Sequence, residues 1–318
     1  MHPGLYGPQD IHSGARIKAF LRQLPVTFIS RSVTFGETMA MRAVFALLIA
    51  AAASLAGWPA CAAGGPETVE IPSGDNLKLK AALYRPDGAG PFPAVIGLHN
   101  CTGLRNSAGE IGLRYRDWGQ RLAKEGFAVL LPDSNGSRGL GSQCSNAGQR
   151  SLRVDRERVA DAVAARVWLQ QQSWISADRV SLLGWSSGAI AALWAVRARL
   201  PVEGTDFRSA VAFYPGCHRL SNAAWSARVP TLVLIGRADD QSSAAACQQM
   251  VAGARGRSAR LAIHVYSGAY HDFDHPNRPL QVRTGLAFSI DGSGNSHSGT
   301  HPSARADALK RVPDWLRQ

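Results

Sequence analysis

The 318-residue chain has only five cysteines, and none stands in a Cys-x-x-Cys pair or in a His/Cys cluster at metal-ligand spacing, which disfavours a zinc centre. No apolar run comes near the roughly 20 residues of a comfortable membrane span; AVFALLIAAAASLAG (43–57) has fifteen. Internal repeats are absent. Charge of one sign is not gathered into blocks: the net +12 comes from 35 basic and 23 acidic residues interleaved as in RVDRERVAD (153–161). That pattern reads as a solvated helix face rather than a nucleic-acid patch.

What is present divides the chain. Met41-Arg42 precedes the fifteen-residue run, and Ala60-Cys61-Ala62 follows it as a small-x-small cleavage pattern, so residues 41–62 read as a secretory signal peptide. Trp58, three before Cys61, speaks against a lipoprotein. Residues 1–40 show no sustained periodicity and are expected to lie upstream of a true start at Met39 or Met41, or to form a disordered extension; a cytoplasmic arm on an anchored protein is the competing reading. Export to the periplasm or the medium follows. Cys101, Cys144, Cys217 and Cys247 then remain in an oxidising compartment, an even number that allows two disulfides. Residues 63–318, in a chain 45% hydrophobic, are expected to form one α/β domain.

Within that domain strand-like and helix-like segments alternate. Strands are expected at 77–86, 92–100, 127–134, 179–185, 209–216, 231–236 and 260–268. Helices are expected at 113–126, 153–172, 188–199 and 243–254, the second with Val159, Val163 and Val167 on one face. The pattern predicts a mainly parallel sheet covered by helices on both faces, with function at the carboxyl ends of its strands. The Gly-, Ser- and His-rich stretch 276–302 reads as a long loop near that end.

One motif gives the carboxyl ends a chemistry. Gly184-Trp185-Ser186-Ser187-Gly188 is G-x-S-x-G between a buried strand and a helix, the setting of a nucleophile elbow. Side chains two residues to either side of Ser186 would collide with strand and helix, which explains the glycines. A serine needs a base and the base an orienting acid. Asp239 follows the strand TLVLIG and His271 follows RLAIHVYSG, in the order serine, acid, histidine. Asp240 and His275 are the fallbacks, while His264, mid-strand, reads as a packed side chain. Ser187 would offer its backbone N–H to an oxyanion at the helix N-terminus.

GLHNCTGL (97–104), LLPDSNGSRGLGSQC (130–144), GWSSG (184–188), FYPGC (213–217), IGRADD (235–240) and YSGAYHDFD (266–274) together resemble the exported branch of the dienelactone hydrolase family, of α/β-hydrolase fold. The resemblance covers about residues 67–290. It implies Ser186 as nucleophile, Asp239 as acid, His271 as base and the backbone N–H of Cys101 as second oxyanion donor. It also places Arg138 where family enzymes that take acidic lactones bind a carboxylate. Two departures count: the name-giving enzymes carry a cysteine where Ser186 stands, and a glutamate where Asn100 stands. The expectation is therefore a hydrolase of carboxylic esters or lactones in general. Asn100 and Trp185 are candidate substrate contacts, and His99 either lines the site or makes a structural hydrogen bond. Cys101–Cys144 and Cys217–Cys247 are the expected bridges, other pairings and free thiols remaining open. Neither metal nor organic cofactor is called for. The expected partner is a small-molecule ester or lactone, with no nucleic acid and no stable membrane span once the signal is removed; oligomeric state is not set. Acyl transfer, peptide cleavage, or a silent binding protein on the same fold are the alternatives.

Overall fold

Short apolar runs bounded by Gly, Pro and Asp become buried strands. In AVLLP (β4, Ala128–Pro132) and TLVLIG (β7, Thr231–Gly236) every residue is buried, as expected of strands covered on both faces. The computed structural model describes residues 65–74, 76–145 and 151–318. The signal segment and the residues before it, together with the boundary proposed at residue 62, lie outside these.

Eight strands form one sheet in the order β1-β2-β4-β3-β5-β6-β7-β8. Besides β4 and β7 they are β1 (Glu67–Pro72), β2 (Lys78–Tyr84), β3 (Phe92–Leu98), β5 (Ile175–Trp185), β6 (Ala210–Phe213) and β8 (Leu261–Tyr266). Pairing is parallel from β4 through β8, while β2 runs antiparallel to both of its neighbours. The helices are α1 (Leu113–Lys124), α2 (Glu157–Gln170), α3 (Ser187–Ala195), α4 (His218–Asn222), α5 (Ala244–Ala254) and α6 (Pro302–Arg317). Among the described residues no helix is long and apolar enough to cross a membrane.

Crossovers between parallel strands are right-handed. The step from β3 to β4 through α1 runs toward the β1 edge, whereas the steps from β4 onward through α2, α3 and α5 run toward β8. These two directions put α1 on one face and α2, α3 and α5 on the other. α6 joins α1, tied to it by Arg305–Asp117 at 2.7 Å and to the residue after it by Arg317–Glu125 at 2.6 Å. The chain reverses its direction of travel between β3 and β5, which are neighbours with Leu98 opposite Gly184. A crevice opens at such a reversal, just beyond the carboxyl ends of the strands.

Three parts differ from the sequence reading. The buried face of α2 carries Arg158, Val159, Asp161, Ala162, Ala165, Arg166 and Leu169, and Val167 is 41% exposed. RVDRERVAD is thus not a wholly solvated face, because two of its charges turn inward to fixed partners. Asp161 receives two Arg138 bonds of 2.8 Å each, and Arg158 donates to Ser187 Oγ at 3.1 Å and to the His99 carbonyl at 2.6 Å. Second, the 276–302 stretch contains a hairpin of two three-residue strands, β9 (Gln281–Arg283) and β10 (Ser296–Ser298). Third, β1 and α6 were not anticipated. In β1 only Ile71 is buried, and α6 holds Pro313 in its interior, which masks a helical pattern.

The Asp161 pair gives a stability prediction. Asp161→Ala would leave Arg138 without its bidentate acceptor beside buried Arg158. We expect a loss of about 3 kcal/mol, read as a lower urea midpoint at unchanged m-value. A loss under about 0.5 kcal/mol would mean the pair carries little.

Candidate active site

The connections after β3, β5, β7 and β8 meet at the crevice. After β5 the chain turns through Ser186 at φ 52°, ψ −114°, a left-handed conformation that strains any non-glycine residue. The turn is held by Ser186 N–H donating to the Phe213 carbonyl and by Ile190 N–H donating to the Ser186 carbonyl, both at 3.0 Å. Its glycines are dictated by contact. A Cβ on Gly184 would run into the Gly188 carbonyl, and one on Gly188 into the carbonyls of Leu98 and His99 at the end of β3. Ser186 immediately precedes α3, whose N-terminal partial positive charge faces the crevice.

After β7, Asp239 is fixed by its own turn, where Oδ1 accepts N–H bonds from Gln241 at 3.0 Å and Ser242 at 2.7 Å. Its other oxygen lies 2.8 Å from His271 Nδ1, with both side chains buried. Asp239, not Asp240, is thus the acid that reaches His271. Asp240 pairs instead with His297 of β10, Nδ1 to Oδ2 at 2.7 Å. Burial opposes protonation of His271, but the adjacent Asp239 carboxylate and its hydrogen bond outweigh it and raise the pKa above the usual 6.5. The hairpin braces this histidine, since His271 bridges to Ser298 and its carbonyl accepts from Gly299 N–H at 3.0 Å.

After β3 comes the loop His99–Asn100–Cys101–Thr102. Among the described residues, neither the Cys101 N–H nor the Ser187 N–H donates to a hydrogen-bond partner, while the flanking Asn100 N–H donates to Tyr115 Oη at 2.9 Å. Arg158 clamps this loop to the elbow through its bonds to His99 and Ser187. The disulfides Cys101–Cys144 and Cys217–Cys247 form as expected, each with Cα atoms 4.9 Å apart. A cavity of about 760 Å³ runs along this loop, lined in part by Asn100, Thr102, Tyr115 and His275.

The sequence profile of the dienelactone hydrolase family matches residues 79–318. The chain belongs to the dienelactone hydrolase family. Its fold is that of an α/β-hydrolase. A candidate dienelactone hydrolase from Klebsiella pneumoniae superposes with TM-score 0.60 at 21% identity, over 79% of this chain and 98% of that one. Thermogutta terrifontis esterase 2 superposes with TM-score 0.56 at 15% identity, over 82% and 97%. Among curated relatives, a Rhodococcus protein named cocaine esterase is 28% identical over 193 residues, 56% of this chain and 31% of its own. A Bradyrhizobium protein named as a probable 2-oxo-3-(5-oxofuran-2-ylidene)propanoate lactonase is 33% identical over 150 residues, 46% of this chain and 54% of its own. Dipeptidyl aminopeptidase BIII of Pseudoxanthomonas mexicana is 33% identical over 134 residues, 39% of this chain and 18% of its own. The chain therefore spans from about a fifth to about half of the length of these relatives.

Three of the candidate substrate contacts make hydrogen bonds or ion pairs within the protein. Arg138 is held by the buried Asp161 and by the Ser134 carbonyl at 2.9 Å, so its charge is already matched within the protein. Trp185 is wholly buried and donates Nε1–H to Asp274 at 2.8 Å. His99 is wholly buried too, and its Nδ1 donates to the Asn100 carbonyl at 2.7 Å, the structural role that the sequence left open. Asn100 does line the cavity, its Oδ1 accepting from the Thr102 N–H at 3.0 Å. The fallback His275 lies on the cavity wall, not against Asp239.

Sequence reasoning missed a charged cluster behind His271. Asp272 (φ 64°) and Asp274 are fully buried, and Arg114 pairs with Asp272 and lies 3.5 Å from Asp274. Burial works to raise the Asp272 pKa, but Arg114, with His271 and Arg278, holds it well below the usual range. The signal available was two acids one and three residues after the histidine, in HDFD.

The contact at Gly188 makes the elbow testable. Gly188→Ala must push β3 and α3 apart, costing about 3 kcal/mol or more, so the thermal midpoint should fall by roughly 10 °C. Scanning calorimetry that found it within about 2 °C of the parent would contradict the close approach.

Proposed function

We propose that the protein hydrolyses carboxylic esters or lactones through an acyl-enzyme on Ser186. The observation that carries this reading is the buried His271–Asp239 pair at 2.8 Å, on loops at the same carboxyl end of the sheet as a serine strained into an elbow. His271 Nδ1 donates to Asp239, which leaves Nε2 as the basic nitrogen. Nε2 takes the Ser186 proton as Oγ attacks the substrate carbonyl, and Asp239 stabilises the imidazolium. The Ser187 and Cys101 N–H groups receive the tetrahedral oxyanion. Collapse expels the alkoxide, protonated by His271, and water activated by the same histidine releases the acid. Family membership and the names of the esterase and lactonase relatives support the substrate class. The two disulfides favour an oxidising compartment, and with 41–62 read as a signal peptide the working location is the periplasm or the medium.

A fluorophosphonate probe with peptide mapping tests the nucleophile. Ser186 should be the labelled residue, and Ser186→Ala should lose labelling and on the order of 10⁴-fold or more in kcat. Labelling of another serine in active protein would refute the assignment. Product analysis separates hydrolysis from acyl transfer and from peptide cleavage.

The raised His271 pKa fixes a sign. Only the neutral imidazole accepts a proton, so kcat/KM rises with pH through this pKa, and the acid limb should lie above pH 6.5. Asp239→Asn removes the interactions that raise it. The limb should move to lower pH while kcat falls by about 10⁴-fold. A limb that stays in place would show that Asp239 does not set the basicity of His271.

A further inference from the structure

The cavity beside the oxyanion loop has three arginines in its wall, yet none is an unmatched cation. Arg114 and Arg278 hold the two oxygens of Asp272, Arg114 also lies 3.5 Å from Asp274, and Arg105 Nε is 3.8 Å from Asp133. Three guanidinium groups thus face three carboxylates. An arriving carboxylate would have to compete with acids already seated there, and drawing an arginine away would strand one of them.

The wall does offer a ligand neutral hydrogen-bonding groups, His275 among them. Its backbone is fixed on both sides, N–H donating to the Asp272 carbonyl at 2.9 Å and the carbonyl accepting from Thr300 Oγ1 at 2.7 Å. The Asn277 N–H donates to its Nδ1 at 3.2 Å. A ring that accepts at Nδ1 carries its proton on Nε2. Burial, reinforced by Arg114 and Arg278, pushes the pKa down to about 4, so the ring is uncharged near neutral pH. Among the described residues Nε2 has no hydrogen-bond partner, and the side chain lines the cavity.

We propose that this cavity receives an uncharged, oxygen-bearing half of the substrate, with His275 Nε2–H donating to its hydroxyl, ether or carbonyl oxygen. The proposal rests on the serine-hydrolase reading and names the substrate class for that site. His275 is a specificity residue in it, separate from the proton transfers of His271.

Matched esters test it: 2-hydroxyethyl butyrate against propyl butyrate, ethyl 3-hydroxybutyrate against ethyl butyrate, and monoethyl succinate as the carboxylate. One hydroxylated member should be favoured about tenfold in kcat/KM, the size of one net hydrogen bond, mainly through KM. Monoethyl succinate should gain nothing. His275→Phe should bring the favoured ratio to near one, and His275→Gln, which keeps a donor, should retain part of it. A ratio unchanged in His275→Phe, or a preference for the succinate ester, overturns the proposal. Should His275→Phe not fold, ¹⁵N NMR of the parent protein at pH 7 decides instead. It should show His275 neutral with its proton on Nε2; a cationic ring or an Nδ1–H tautomer overturns the proposal. If no ester is turned over, the hydrolase reading fails, and the cavity is then read by titrating the first ester pair into Ser186→Ala while following the His275 ¹⁵N resonance. A shift with the hydroxylated ester alone supports the proposal, and equal or absent shifts overturn it.

Discussion

One carboxylate sets the spacing of the catalytic crevice. Asp274 accepts Nε1–H from Trp118 and from Trp185 at 2.8 Å each and the Tyr214 hydroxyl at 2.6 Å, so a single buried acid ties α1, the end of β5 and the turn after β6 together. Trp185 immediately precedes Ser186, and Asp274 lies three residues past His271. The elbow and the loop of His271 are thereby anchored through the same carboxylate. A buried carboxylate is costly unless its lone pairs are filled, and in a low-dielectric interior a filled one is correspondingly rigid. The rings that deliver these donors are themselves packed, with Trp185 stacked on Phe213 at 6.1 Å and Tyr214 against His271 at 4.4 Å. The position of His271 is therefore a property of the core beneath it as much as of its own loop.

That rigidity is needed because the backbone around the site is strained. Ser186, Tyr214 and Asp272 all have positive φ, and each sits on a different connection at the carboxyl end of the sheet. Left-handed non-glycine residues persist only where their surroundings over-determine them. Here the constraints are covalent, ionic and packed at once. Cys101–Cys144 fastens the loop after β3, and Leu286 of the 276–302 segment packs on that bridge. Cys217–Cys247 joins the turn after β6 to α5, just beyond the acid loop. His297 on Asp240 pins the hairpin beside Asp239, and Gly299 on the His271 carbonyl pins it to the loop of His271.

Legibility in the sequence followed the range of the interactions. The elbow is local: two glycines, a strand and a helix within a dozen residues specify it, so Ser186 could be read directly. Asp239 and His271 could be placed because each ends a strand whose buried run is plain, and parallel sheets put such ends on one side. Arg158 could not be read, because its reason for being inward, the His99 carbonyl and the Ser187 hydroxyl, lies 59 and 29 residues away. Arg138 was assigned a ligand from the family resemblance, and the acid that pairs with it is 23 residues on, in a segment whose charges looked solvated. The hairpin was hidden by strands of three residues, too short for alternation to register.

The buried cations share a chemical reason. Arg158 spans the β3 end and the elbow, Arg114 spans α1 and the base loop, and Arg305 spans α6, Asp117 and the Asp274 carbonyl. Each bridge asks one side chain to donate in two directions from within the core. A guanidinium does this with a planar fork that stays charged: burial pushes the Arg158 pKa down only to about 10, still far above neutrality. A lysine ammonium in the same place would be more strongly dehydrated and more readily neutralised. Arginines used in this way join segments distant in sequence. Arg114 is both such a bridge and part of the cavity wall: it holds α1 to the loop of His271 and, facing Asp272 and Asp274, brings a matched charge to that wall.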